Sequence, residues 1–168
     1  MRDREFKLKR KEFSAIRSIV YERTGITLKE TKEEMVYSRL SRRIRALGMH
    51  DFQTYLAFLH SEDGDKEASD FVNAMTTNLT RFFREAHHFQ HLRNEVLKPK
   101  VLSARAGLDE RKVRIWSAGC SSGMEPYSIA MTVKASLPAR ENWDTRILAT
   151  DIDTNMLDQG RSGIYRLK

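Results

Sequence analysis

The spacing of apolar residues changes character near residue 97, and that change constrains the fold more than any other feature of the chain. Before it, apolar residues recur at helical intervals. Phe13, Ile16, Ile19 and Val20 mark a first helix with Gly25 as its stop, and Val36, Leu40, Ile44 and Leu47 mark a second, closed by Gly48. Asp51 has the place of an N-cap for a third helix carrying Phe52, Tyr55, Leu56 and Leu59. The polar run from Ser61 to Asp65 contains Gly64 and reads as a turn. Ala68, Phe71, Val72 and Met75 give a fourth helix. After a polar break, Thr76 to Thr80, the residues Phe82, Phe83, Phe89, Leu92, Val96 and Leu97 predict a fifth that ends before Pro99. Beyond it, Val113 to Ala118 and Arg146 to Thr150 are short, mostly apolar runs of the kind that form buried strands. A helical stretch, Pro126 to Leu137, separates them, and Thr154 to Gln159 begins another. Strand, helix and strand at this spacing predict a βαβ unit with parallel strands. The chain therefore reads as an all-α segment, a basic linker near residues 98–112, and the opening of an α/β domain.

Composition narrows the class. At 168 residues the chain has room for one domain or two small ones. With 40% hydrophobic and 32% charged residues it is not a disordered chain. No apolar run approaches the ~20 residues of a membrane helix, and the N-terminus MRDREFKLKR lacks a signal peptide's apolar stretch. The single cysteine, Cys120, excludes an intrachain disulfide framework. A cytoplasmic chain with a reduced thiol is expected. The net charge of +7 is unevenly placed: residues 1–50 hold fourteen Lys and Arg against seven Asp and Glu and carry the whole excess. An acidic partner for this segment is expected. Arg39, Arg42 and Arg45, three apart, stand along one side of the second helix.

Two constellations suggest a bound ligand. Gly119-Cys120-Ser121-Ser122-Gly123-Met124-Glu125-Pro126 joins the first strand to the following helix, where ligands sit in open α/β sheets. It is neither a Walker A loop nor a GxGxxG loop. Asp151, 32 residues after Gly119, ends the second strand, where an acid accepts hydrogen bonds from ribose hydroxyls. Its alternative role is a helix N-cap, which Asp153 fills equally well. Together they favour an adenosine-containing ligand, with S-adenosylmethionine a natural candidate. A third motif, Asn78 to Glu85, is a polar and aromatic hinge in which Arg84 can clamp a carboxylate. His87, His88 and His91 lack the spacing and partners of a metal site, so no metal is expected.

The segments TTNLTRFFREAHHF (76–89), IWSAGCSSGMEPYSIAM (115–131) and ATDIDTNML with GRSGIY (149–165) closely resemble the chemotaxis receptor methyltransferase family. The resemblance implies an all-α N-terminal domain followed by the beginning of a class I, Rossmann-like methyltransferase domain, truncated because family members continue well past the GIY segment. It implies domains at 1–97, a receptor-docking domain with its hinge motif at 76–89, and at 98–168, the first part of the cofactor domain. It implies S-adenosylmethionine as cofactor, with S-adenosylhomocysteine as product, and methylation of glutamate side chains on the cytoplasmic helices of bacterial chemoreceptors. Cofactor contacts carry over to Asn78, Thr80, Arg84, Glu125 and Asp151, with Arg84 also near the reacting groups, and receptor docking to Arg39, Arg42 and Arg45. Met124 stands where many members have Glu, so the contact goes to Glu125; Arg81 has no assigned role. Nucleic acid and membrane insertion are not expected. The rival readings are a non-catalytic receptor-docking fragment and a nucleic-acid methyltransferase.

Overall fold

A computed structural model describes residues 4–166. The chain divides between Thr77 and Asn78 into two compact units.

The first unit is four α-helices: α1 Arg10–Thr24, α2 Glu33–Ala46, α3 Phe52–Leu59 and α4 Asp65–Met75. Their ends are set by local chemistry. Glu12 Oε2 accepts the Lys9 N–H at 2.7 Å before α1, and Gly25 closes that helix in the left-handed region at φ 71°. Asp51 caps α3 as its position predicts, with Oδ1 accepting the Thr54 N–H at 2.7 Å. The expected apolar stripes meet in one core, where Ile16, Val20, Val36, Leu40, Ile44, Phe52, Tyr55 and Phe71 are fully buried. Leu47 departs from its stripe, since it stands just past the end of α2 and is exposed.

The second unit begins with one long helix in three parts. These are α5 Ala86–His91, a π-helical segment Leu92–Leu97, and α6 Lys98–Arg105. Apolar spacing predicts a stop before Pro99, followed by a linker; the helix instead passes through it. A proline ring clashes with the carbonyl four residues back and offers no N–H to it. A π-helical turn spaces its bonds five residues apart, which accommodates the ring. The continuation also explains why the units part at 77/78 and not at the expected 97/98. Leu97 is fully buried in the second core, with Val113, Ile129 and Val133. Phe82 and Phe83 precede the helix and are exposed, and Val96 faces solvent, all three contrary to the apolar pattern.

The βαβ expectation is met by β1 Lys112–Ala118, α7 Met124–Ser136 and β2 Asp144–Thr150, followed by α8 Thr154–Ser162. The two strands are parallel, with Ile115 opposite Ile147. Val113, Ile115 and Ile147 point to the face covered by α7 and the long helix. Trp116 and Leu148 point to the other face and are exposed. Among the described residues no helix is long and apolar enough to cross a membrane.

Candidate functional site

The site is built where the two parallel strands end. From Ala118 the chain turns through Gly119 to Gly123 into α7. The N–H groups of Gly119 and Cys120 donate to the Thr150 carbonyl at 2.8 and 2.9 Å, which stitches this loop to the end of β2. Gly123 is required twice over. Its φ is 86°, and a Cβ there would meet Gly160 Cα and Tyr165 Oη, each at 2.9 Å. Ser121 takes a left-handed φ of 49° without being glycine. Its N–H donates to Asp151 Oδ2 at 2.7 Å, while its buried Oγ has no hydrogen-bond partner.

Of the two acids that sequence offers for the N-cap, the structure uses Asp153. Asp153 is the N-cap of α8, its Oδ1 accepting the Asn155 and Met156 N–H groups at 3.1 and 3.2 Å. Asp151 spends both oxygens on the loops, Oδ2 on Ser121 and Oδ1 on the Asp153 N–H at 2.8 Å. Asn78 Nδ2 donates to Asp153 Oδ2 at 2.6 Å. Asn78, Asp153, Asp151 and Ser121 thus form one hydrogen-bonded line joining three chain segments. A carboxylate has about four acceptor sites, so Asp151 keeps capacity for a ligand hydroxyl.

Thr80 is half-buried. Arg84 is exposed and folds back on its own loop, Nη1 donating to the Leu79 carbonyl at 2.7 Å. Glu125 is the second residue of α7, where a carboxylate suits the helix dipole, and its Oε1 accepts the Ser117 hydroxyl at 2.7 Å. Asn78 and Asp151 are therefore joined through Asp153, whereas Arg84 and Glu125 are held by separate partners. Cys120 is buried, and burial, then the neighbouring Asp151 carboxylate, push its thiol up, which keeps it protonated and unlike a nucleophile. Between α7, α8 and β2 lies a cavity of about 340 Å³ lined by residues including Cys120, Tyr127, Ala149, Leu157 and Arg161.

Apolar periodicity gives no sign of three groups around these side chains: Ser117 and Ser128, both buried, and Tyr165. Tyr165 Oη donates to the Ser122 carbonyl at 2.6 Å, and its ring meets Phe82 and Tyr127 edge-on. The GIY segment was its visible trace. A serine in an apolar strand or helix leaves no periodic signal.

In the first unit the three arginines of the α2 stripe have different surroundings. Arg39 Nη1 donates to the carbonyls of Ala74, at 3.1 Å, and Thr76, so it closes the end of α4. Arg45 is ion-paired with Glu5. Arg42 is exposed, with Nε bonded to Ser38 O one turn back. Arg43, which lies between them in sequence, is drawn onto Glu67 and Asp70.

Comparison with known proteins follows the same division. Residues 11–76 match the family model described as CheR methyltransferase, all-alpha domain, and residues 78–168 match CheR methyltransferase, SAM binding domain. The chain is 48% identical over 147 residues to a probable chemotaxis protein methyltransferase of Rhizobium etli, covering 88% of this chain and 54% of that protein. It is 46% identical over 156 residues to the chemotaxis protein methyltransferase of Salmonella typhimurium, covering 92% and 50%. With chemotaxis protein methyltransferase 2 of Pseudomonas aeruginosa it shares 45% over 166 residues, covering 99% and 56%. The chain spans about half the length of the curated relatives it matches. Two adjoining family models meet at the same point where the structure divides, and the chain belongs to the CheR methyltransferase family.

Proposed function

We propose that this chain carries the docking helices and the first part of the cofactor site of an enzyme that methylates glutamate side chains on bacterial chemoreceptors. The observation that carries the reading is the line Asn78, Asp153, Asp151, Ser121 at the carboxyl ends of parallel strands, in the segment matching a SAM binding domain. The residues present fit that cofactor: Ser121 Oγ is buried without a partner, and Asp151 has acceptor capacity to spare. Asn78, Thr80, Arg84, Glu125 and Asp151 would hold it.

S-adenosylmethionine, when bound, supplies a methyl group on a sulfonium, a good leaving group. A glutamate side chain, with a usual pKa near ~4.3, is already ionised at neutral pH and needs no general base. This accords with the lack of an acid–base pair among the residues proposed for the site. The work left to the protein is alignment of the carboxylate and exclusion of water from it. Arg84 carries a guanidinium fork suited to orienting a carboxylate, on an exposed turn beside aromatic rings. Esterification removes a negative charge from a receptor helix and so alters its packing, which is a signalling output. Residues 1–50, which carry the chain's positive excess, supply attraction to an acidic receptor helix, with Arg42, exposed and bonded within its own helix, the member of the stripe offered to a partner.

A docking role without methyl transfer is the second reading, favoured by the self-contained core of the first unit. One experiment separates them. The chain is titrated calorimetrically with S-adenosylhomocysteine, then incubated with receptor-bearing membranes and methyl-labelled S-adenosylmethionine. Cofactor binding with base-labile label on the receptor supports the first reading. Receptor capture with neither supports the second.

A further inference from the structure

We propose that Ser128 is a positioning residue for Arg84, acting through the backbone of the turn that carries it. This rests on the reading that Arg84 belongs to the cofactor site. Arg84 lies between two non-glycine residues in the left-handed region, Phe83 at φ 52° and Glu85 at φ 57°. L-residues adopt such angles rarely and keep them only where surroundings impose them, and such outliers gather at functional sites. The turn's own bonds are modest: the Arg84 N–H reaches the Arg81 carbonyl at a long 3.3 Å, and the Arg84 side chain bonds Leu79 O. Beyond the turn, the Phe83 ring packs edge-on against Phe89 at 5.3 Å.

The firm anchor is Ser128 Oγ, which accepts the Phe83 N–H at 2.9 Å. Ser128 is fully buried on α7, and its hydroxyl proton is committed to the Met124 carbonyl at 2.7 Å. With its one proton spent, the oxygen can only accept, and Phe83 is what it faces. The same helix carries Glu125 in its first turn, so Ser128 fixes the Arg84 turn relative to a second residue proposed for the site. For α7 alone the serine is no asset. Alanine is the better helix former, and a hydroxyl bonded back four residues slightly disfavours a helix. Its use is to the turn.

That asymmetry supplies the test. Ser128→Ala is compared with the parent chain by amide NMR and by titration with S-adenosylhomocysteine. Removing the acceptor leaves the Phe83 N–H without this partner, so exchange of the Phe83 amide should quicken by roughly tenfold or more, and affinity should fall roughly five- to fiftyfold. The α7 amides and the Tm should be unchanged or slightly raised, which a merely structural serine would not combine with a local loss at Phe83. An unchanged Phe83 resonance and exchange rate would overturn the proposal, as would weakening of affinity only in proportion to a lowered Tm. Should the parent chain fail to bind S-adenosylhomocysteine, the cofactor reading falls, while exchange at Phe83 still decides the role of Ser128.

Discussion

At the scale of single residues, Asp151 is a carboxylate committed to its loops that keeps acceptor capacity for the proposed ligand. Sequence places it at the end of a strand, and from there a ribose-binding role follows by analogy. What sequence does not show is that its two oxygens already receive the Ser121 and Asp153 amides. Those bonds depend on the left-handed Ser121, a backbone choice with no compositional signature. Asp151→Asn keeps one acceptor oxygen but turns an NH₂ toward an N–H. It should therefore weaken S-adenosylhomocysteine binding and loosen the loop together, by ~1–3 kcal/mol in each. Calorimetry and thermal denaturation on the same variant check both; unchanged affinity removes Asp151 from the site. Cys120 invites a second measurement. Burial raises its thiol pKa, so at pH 8 the thiolate fraction lies below that of a free cysteine near ~8.5. Alkylation by iodoacetamide at that pH should be slower than for glutathione. Fast, single-site alkylation would mark it as a reactive group after all.

At the scale of elements, α2 explains why a charge stripe read from spacing is a coarse guide. Residues three apart on a helix are rotated by about 60° per step, so Arg39, Arg42 and Arg45 fan across about 120° of its circumference. One end of the fan reaches the carbonyls closing α4 and the other pairs with Glu5 at the surface, whereas Arg42 is exposed and bonds one turn back within α2. Reversing all three charges would confound docking with folding. Arg42→Glu alone should weaken capture of receptor membranes while shifting stability by no more than about 0.5 kcal/mol, the usual range at an exposed site. Arg43 is the opposite case. Its guanidinium meets Glu67, which is 4% exposed and also accepts the Tyr55 hydroxyl at 2.8 Å. Burial of Tyr55 and its bond to Glu67 push that phenol well above its ordinary range, so the hydroxyl remains a donor. Arg43→Ala leaves a buried carboxylate with one neutral partner and should cost about 3 kcal/mol of stability. Chemical denaturation of the two variants side by side tests the contrast, and a small effect of Arg43→Ala would show that the cluster relaxes.

At the scale of the whole molecule, what was legible is what depends on periodicity and on a few end signals: four helices, with the Asp51 cap and the Gly25 and Gly48 stops, then a parallel βαβ unit. The junction was less so, because a helix that survives Pro99 by widening into a π turn has no pattern distinct from one that stops there. The same contrast between the units governs the last prediction. Among the described residues fourteen large apolar side chains are exposed, and only Tyr21 and Leu47 belong to the first unit. In the second, Trp116 and Leu148 lie on the uncovered face of a two-stranded parallel sheet, 66% and 59% exposed. Parallel sheets are normally covered on both faces, and a two-stranded sheet is marginal by itself. Apolar surface and unpaired strand edges of this kind favour contact with another chain. The isolated chain should therefore associate as its concentration rises, with Trp116 fluorescence shifting to the blue as its indole leaves water. In dilute solution α1 to α4 should retain amide protection longer than β1 and β2. Sedimentation combined with residue-resolved hydrogen exchange tests this directly. A monomer at every concentration, with residues 113–160 protected as strongly as the helical core, would mean that α7 and the long helix stabilise the two strands without cover on their second face.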